Sequence, residues 1–466
     1  ARFGYFLRGI APDLTRESAA SNDKQNASTL GAILSWDAGD LHPSVHKQAA
    51  LMPKWGGCGV TSACLVSAAA FLSAALASVR FLRTKHAGLA PTLANLDTCD
   101  LPLAADMRSA LLRLQQHHGF SLQATLESLA SAPPRATAQH AFAEQVYERA
   151  RDDLLEQLPT DHNAYHRARL ISCGGPHAGS WLGALPVAAA TTVTSASWQM
   201  ALALRLGVPV KELMSGDVRC ACGAVVDPYG AHYGSGCKVG NRGAAWTARH
   251  EMANDETVKS CRAVGQLTAH GVTVNYLGQA AITSVNGGYK RPDGRLRDFY
   301  ALGRHLYWDF AIADPCSDSA LRAGSAELRT AGAAAKLRVK QKDEKYKRLV
   351  EDAGSVFFAN VMERFGAFSG PLQAFTKAVT GDGDRDGLRC EDISFSASSR
   401  STYFAQRVCL AGVIGDANMV AALATRDAHG MLERAAARRM RASYRANLGV
   451  GYNFHGGGFD GGYSVS

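Results

Sequence analysis

Apolar positions along the chain fall into two textures. From about residue 61 to 172 they recur at intervals of three and four, as in 106–115 and 138–158, which predicts helices with one buried stripe. Pro133-Pro134 breaks two of these helices apart, because proline removes a helical donor and restricts the residue before it. Residues 1 to about 50 mix short apolar runs with capping residues, and Lys54-Trp55-Gly56-Gly57-Cys58-Gly59-Val60 then imposes a turn ahead of tight helix packing. The stretch 61–79 is apolar enough to raise the question of a membrane span. It is built from Ala and Ser more than from Leu and Ile, so a buried helix of a soluble domain is expected. After the loop Ser172-Cys173-Gly174-Gly175-Pro176-His177, a helix containing 198–206 ends at Gly207 with Pro209 behind it.

The second texture begins near residue 216. Residues 220–237 carry glycine and cysteine, 244–263 read as a helix, and 272–313 hold strand-like runs, among them Val272-Thr273-Val274 and 306–313. A long basic helix is expected over 319–352 and a buried strand over 355–363. Helices return after 370 and over 402–444, the last ending in Arg438, Arg439 and Arg441. The tail 449–466 is rich in glycine and aromatics without periodicity, and is expected to be flexible or ordered by a partner. No internal repeat is evident. The pattern predicts an α+β protein whose N-terminal domain is all-α. The expected divisions are 1–215 helical, 216–240 a metal-binding motif, 241–400 an α/β domain, 401–448 C-terminal helices and 449–466 the tail.

Composition narrows the partners. With 466 residues, two or three domains are expected, and 47% apolar with 20% charged residues excludes a disordered or fibrous chain. A formal net charge of +9 favours polyanionic partners, since clustered Lys and Arg neutralise phosphates and release counterions. No secretory signal opens the chain, no membrane partner is expected, and a start on Ala1 instead of Met points to a processed product or a fragment.

Most of the eleven cysteines lie in apolar runs, where a thiol behaves as a small hydrophobe. Cys220, Cys222, His232 and Cys237 are the exception. Three thiolates and an imidazole suit tetrahedral zinc, and glycines at 223, 230, 234 and 236 let a short backbone wrap the ion. Four protein ligands close such a site, so the zinc would be structural. The one-residue gap between the first two cysteines is tighter than the usual spacing.

A second constellation is acidic and basic. Asp309 sits inside Tyr307-Trp308-Asp309-Phe310-Ala311-Ile312, where a charge is costly to bury unless paired or bound to metal. If 294–302 and 304–313 form a hairpin, Asp293 and Asp309 come to one end as a carboxylate pair suited to Mg2+. The helix that follows carries Lys336, Lys340, Lys342, Lys345 and Tyr346, with Lys342 and Tyr346 four apart on one face. A lysine beside two metal-binding carboxylates positions water and stabilises charge on a phosphate in transition. A helix of this kind standing alone would be a solvated basic face.

Asp293, Asp309 and Lys342-x-x-x-Tyr346 resemble the PD-(D/E)-x-K core in the variant form of restriction-like endonucleases from site-specific non-LTR retrotransposons, where the lysine has moved to the following helix. The same family places a Cys-x-Cys, His, Cys motif and an Arg-His pair just before that core, and Cys220, Cys222, His232, Cys237 and Arg249-His250-Glu251 are similar to these. Upstream, Phe3-Gly4-Tyr5-Phe6-Leu7-Arg8, the turn 53–60, Gly179-Ser180-Trp181-Leu182-Gly183-Ala184-Leu185-Pro186 and Arg205-Leu206-Gly207 resemble the segment between the polymerase palm and the endonuclease. The resemblance spans most of the chain in the family's order. It implies a restriction-endonuclease-like domain, catalysis by Asp293, Asp309, Lys342 and Tyr346, and nucleic-acid contacts from Arg249, His250, Arg291, Lys336, Lys340, Lys345 and Arg439. The chain departs from ordinary members at Ala311, where a strand lysine stands in most PD-(D/E)-x-K enzymes. It also has no Tyr/Phe-x-Asp-Asp polymerase motif, and Asp152-Asp153 reads as surface charge on an amphipathic helix.

Two readings follow. One is a Mg2+-dependent DNA endonuclease whose nick supplies a 3′ hydroxyl for target-primed reverse transcription, expected in the nucleus. The other is a domesticated, catalytically silent RNA-binding or structural component of a large ribonucleoprotein such as an organellar ribosome, expected in the mitochondrion. In the second, Asp309 should be buried against Arg or Lys.

Overall fold

The computed structural model describes residues 2–448 apart from 87, 119, 121–122, 133–137, 160–161, 216, 235–241, 266–281, 284–288, 291, 318–319, 322–329, 382–396 and 398. Pro133-Pro134, Cys237, Val272-Thr273-Val274, Arg291 and the tail lie outside the described residues, as does the side chain of Arg439.

The N-terminal part is helical: α1 (Arg2–Gly9), α2 (Pro12–Leu34), α3 (Pro43–Ala50), α4 (Ala63–Lys85), α5 (Pro102–His118), α6 (Leu126–Ser131), α7 (Ala138–Glu156), α8 (Asn163–Cys173) and α9 (Ser195–Leu206). Helix α4 is central because its small residues admit close neighbours. Ala69, Leu72, Leu76 and Val79 pack against Met107, Leu111 and Leu114 of α5 and Val146 of α7. Its N-terminus is capped by Ser62 and by Asp23 of α2, whose carboxylate accepts from Ala63 N at 2.7 Å. By length and composition α4 could cross a membrane, as could 400–430, yet 56% and 72% of their most apolar windows are buried within this fold. Asp152 and Asp153 lie on α7 beside Arg151 and Arg149, as surface charge.

Three upstream segments noticed in the sequence converge on one side chain. Arg205, at the end of α9, is almost fully buried and donates to Gly57 O at 2.9 Å, Ala178 O at 2.9 Å and Cys173 O at 3.1 Å. The turn is obligatory here: Gly56 has φ of 89°, and a Cβ on Gly57 would lie 2.0 Å from Leu51 O. Gln48 completes the clasp, donating to Gly56 O at 2.9 Å and Arg205 O at 3.0 Å.

The C-terminal part contains α10 (Ala231–Gly234), α11 (Arg242–Gly265), a short ladder of β1 (Ile282–Thr283) with β2 (Tyr289–Lys290), then β3 (Gly294–Ala301), β4 (Arg304–Ala313), α12 (Ala333–Asp352), β5 (Val356–Glu363), α13 (Gly370–Thr380) and α14 (Arg400–Leu448). Strands β3 and β4 form an antiparallel hairpin with Gly294 opposite Trp308. Strand β5 runs parallel to β4, from Leu306↔Val356 to Ala313↔Glu363, so the chain must cross over between them, and α12 is part of that crossover. One face of the sheet, with Trp308, Phe310 and Met362, joins the main core with Phe375 of α13 and Phe404 of α14. The other face takes α12: Tyr346 and Val350 cover Tyr307 and Phe357, while Ala334 and Ala335 meet Ala311, Ala313 and Val361. The protein is therefore mixed α+β, mostly helical with a small three-stranded sheet.

The helix that carries the lysines starts later than the expected residue 319. Gly332 adopts φ of 85°, which breaks any helix at that point, and α12 begins at Ala333. Its first turn is held by the buried Glu363, which accepts from Ala335 N at 3.2 Å and from Ser172 Oγ of α8 at 2.6 Å. This cap fixes where along β4 the lysines fall.

Candidate active site and metal centre

Asp309 is the middle of β4 and faces α12, with only 2% of the residue exposed. The hairpin register continues to place Asp293 across from it, one residue before β3. Gly294 is required beside it, since a Cβ there would meet the Trp308 indole at 2.0 Å. Asp293 Oδ2 accepts from Phe310 N at 2.7 Å and lies 3.1 Å from His250 Nε2 of α11, which is also 3.1 Å from Phe310 O. Nε2 faces two acceptors, so the proton belongs on it.

On the other side, Lys342 Nζ pairs with Asp309 Oδ2, and the Tyr346 hydroxyl, one turn further along α12, bonds to the same carboxylate. Lys345 lies 4.4 Å over the Tyr346 ring. Burial and then the charge of Asp293 push the Asp309 carboxyl above the usual carboxylate range, with Lys342 pulling the other way. Burial and the neighbouring Asp309 raise the Tyr346 phenol, so it stays a neutral donor. The hydrogen bond that His250 donates to Asp293 raises His250 above its ordinary 6.5, against the opposing effect of burial. Two opposed carboxylates that repel one another, offering hard oxygen donors, fit a divalent cation such as Mg2+.

Ala311 now has a physical reason. It is buried under Ala334 and Ala335, so the helix lies too close for a strand lysine, and Lys342 approaches Asp309 from the helix instead. Lys336 and Lys340 are exposed on the outer face of α12, and Lys345 is exposed as well.

Arg249 does not lie where a nucleic-acid contact would require. It is 5% exposed and donates to Asp416 Oδ1 of α14 at 2.7 Å, because α14 covers that face of α11. Asp416 Oδ2 in turn accepts from Arg364 Nε at 2.6 Å, and Arg364 Nη1 lies 3.5 Å from Asp314. Sequence reasoning missed Asp314, Glu363, Arg364 and Asp416. The available signal was the one that found Asp309, a charge set at or within a buried apolar run.

In the cysteine cluster, Cys222 Sγ lies 2.7 Å from Cys220 Sγ and 3.4 Å from His232 Nε2, and all three ligand atoms fall within 4.8 Å of one another. Gly223, at φ of 86°, makes the turn, and Cys220 N donates to Ala224 O at 3.0 Å. Asp227 accepts from Ala231 N at 3.0 Å and His232 N at 2.9 Å, which presents the imidazole to the two sulfurs. Two thiols and an imidazole converging from a glycine turn fit a soft divalent ion such as zinc.

No protein-family model and no curated protein matches the chain.

The His250–Asp293 pair sets a pH dependence. A raised histidine contributes its stabilisation fully below 6.5 and loses it as pH rises through the folded value. The same proton competes with a cation for Asp293. Mn2+ affinity measured by paramagnetic resonance should therefore increase from pH 6 to 8, and His250→Gln should flatten that increase. An affinity independent of pH in the wild type would remove His250 from the account.

Proposed function

We propose that the chain is a nucleic-acid-binding protein derived from a non-LTR retrotransposon, acting as a Mg2+-dependent DNA endonuclease of the restriction-like type. One observation carries the reading: Asp293 and Asp309 stand opposed across the β3–β4 hairpin, with Lys342 and Tyr346 brought to Asp309 from the crossover helix. Order along the chain supports the same reading, with α11, a hairpin, a crossover helix and a parallel strand forming the frame expected of a restriction-endonuclease-like domain after the zinc motif.

Asp293 and Asp309 would hold Mg2+, which when bound supplies an activated water and neutralises the scissile phosphate. Lys342 then places a positive charge where the phosphate gains negative charge, and Tyr346 orients the Asp309 carboxylate. His250 would hold Asp293 in place through the hydrogen bond from Nε2. The zinc motif would use Cys220, Cys222, His232 and Cys237 as a structural site. Cys237→Ser should release one equivalent of zinc and loosen the loop, because such metal binding supplies folding free energy. Metal analysis finding no zinc in native protein would contradict this.

A second reading has its own observation. Asp309 is already paired with Lys342, and Asp293 with His250 and Phe310 N, as in a domesticated scaffold that binds RNA inside a ribonucleoprotein. Nicking of supercoiled plasmid separates the two. The nuclease reading expects Mg2+-dependent nicks, with binding that weakens steeply as salt rises. Binding without cleavage in Mg2+ or Mn2+ leaves the scaffold.

A further inference from the structure

The turn of the β3–β4 hairpin carries an apolar side chain where turns ordinarily carry polar ones. Leu302 is 95% exposed, next to Gly303 at φ of 77°. The projection is built in. The β3–β4 register shifts between Leu296 and Ala301, and Asp298, at φ of 51°, pins the resulting bulge. Its backbone N donates to His305 Nδ1 at 2.9 Å, and its Oδ1 accepts from Gly303 N at 2.7 Å, so this acid is turned inward to hold the tip. Near Leu302 is Arg304, whose guanidinium lies 5.4 Å over the half-exposed Tyr300 ring; further back on β3, Arg297, its side chain 59% exposed, lies 3.8 Å from Asp298.

An apolar point with exposed arginines on both strands of its hairpin matches duplex nucleic acid: phosphates take the arginines, and a base step takes the wedge. We propose that the hairpin tip enters duplex DNA and unstacks a base step to one side of the cleavage position. The choice of DNA rests on the nuclease reading. Leu302 lies seven residues from Asp309, five steps along β4 and the rest in the turn, at most roughly 23 Å at a rise of about 3.3 Å. That span equals about seven base-pair steps at roughly 3.4 Å each.

The test uses the full chain with duplexes carrying 2-aminopurine at successive positions, with no Mg2+ or Mn2+ added and no chelator, so that cleavage is suppressed while the zinc motif keeps its ion. Wild type should raise the fluorescence at a step within about seven base pairs of the mapped nick. Leu302→Ala, at a fully solvated position, should abolish the rise and weaken binding about tenfold. Arg304→Ala should weaken binding evenly across sequences and lower the salt slope by about one. Wild type that binds and nicks while showing no unstacking, or Leu302→Ala indistinguishable from wild type, overturns the wedge and leaves the nuclease reading intact. Self-association lost in Leu302→Ala would assign the tip to a second copy of the chain and also overturn it. Wild type that does not bind duplex DNA at all overturns both.

Discussion

Asp416→Ala is expected to destabilise the folded protein by about 3–5 kcal/mol, because it strands two buried cations at once. Asp416 is 3% exposed and lies between Arg249 and Arg364, whose side chains are 5% and 0% exposed. The charge of Asp416, followed by that of Asp314, holds Arg364 protonated despite its burial. With Asp416 removed, Asp314 loses a like charge that raises it, but it stands 3.5 Å from Arg364 Nη1, too far for a short charge-assisted bond, so the remaining acid is a poor substitute. The damage should reach the metal loop. Arg364 Nη2 lies 3.5 Å from Gly230 O, and Gly234 packs so closely that an added Cβ would come within 2.5 Å of the guanidinium. A chelator should therefore strip zinc from Asp416→Ala faster than from wild type. Urea unfolding would measure the loss of stability, and a change below about 1 kcal/mol would mean that the network is solvated in solution.

Asp309→Asn is expected to lower Mg2+-dependent nicking on the order of a thousandfold while leaving DNA affinity nearly unchanged. The substitution removes one carboxylate and keeps its shape. It also removes the cost of burying a charge and the repulsion from Asp293, which together hold the Asp309 carboxyl above its usual range; this offsets the loss of the Lys342 partner, so unfolding should shift little. Affinity persists because the exposed cations on α12 and the hairpin are untouched. Lys342→Ala should slow cleavage with a smaller effect on metal affinity, since the lysine is not a ligand. Equal loss of binding and cleavage in Asp309→Asn would show a folding defect instead of a catalytic one.

Much of this site was legible in the sequence because burying charge is costly. Asp309 within an apolar run demanded partners, and the spacing of Lys342 and Tyr346 put both on the face that supplies them. The hairpin was legible for the same reason that a strand repeats every second residue. The clasp around Arg205 was not, although its segments stood out: a guanidinium satisfied by backbone carbonyls leaves no acidic partner in the sequence to search for. The start of α12 was overrun because Ala, Leu, Arg and Glu before Lys336 prolong a helical composition, whereas Gly332 and the distant Glu363 decide where it begins. Arg249 was misread for a related reason. Its partner Asp416 lies far along the chain on α14, and only packing brings the two together.

The central claim is that the Asp293–Asp309 pair binds a divalent cation and cleaves DNA. Incubating purified wild-type protein with supercoiled plasmid across Mg2+ and Mn2+ concentrations, beside Asp309→Asn, tests it most directly. Wild type should give metal-dependent nicked circles and the variant none, at equal DNA occupancy. Wild type that occupies the DNA but leaves it supercoiled at every metal concentration would contradict it.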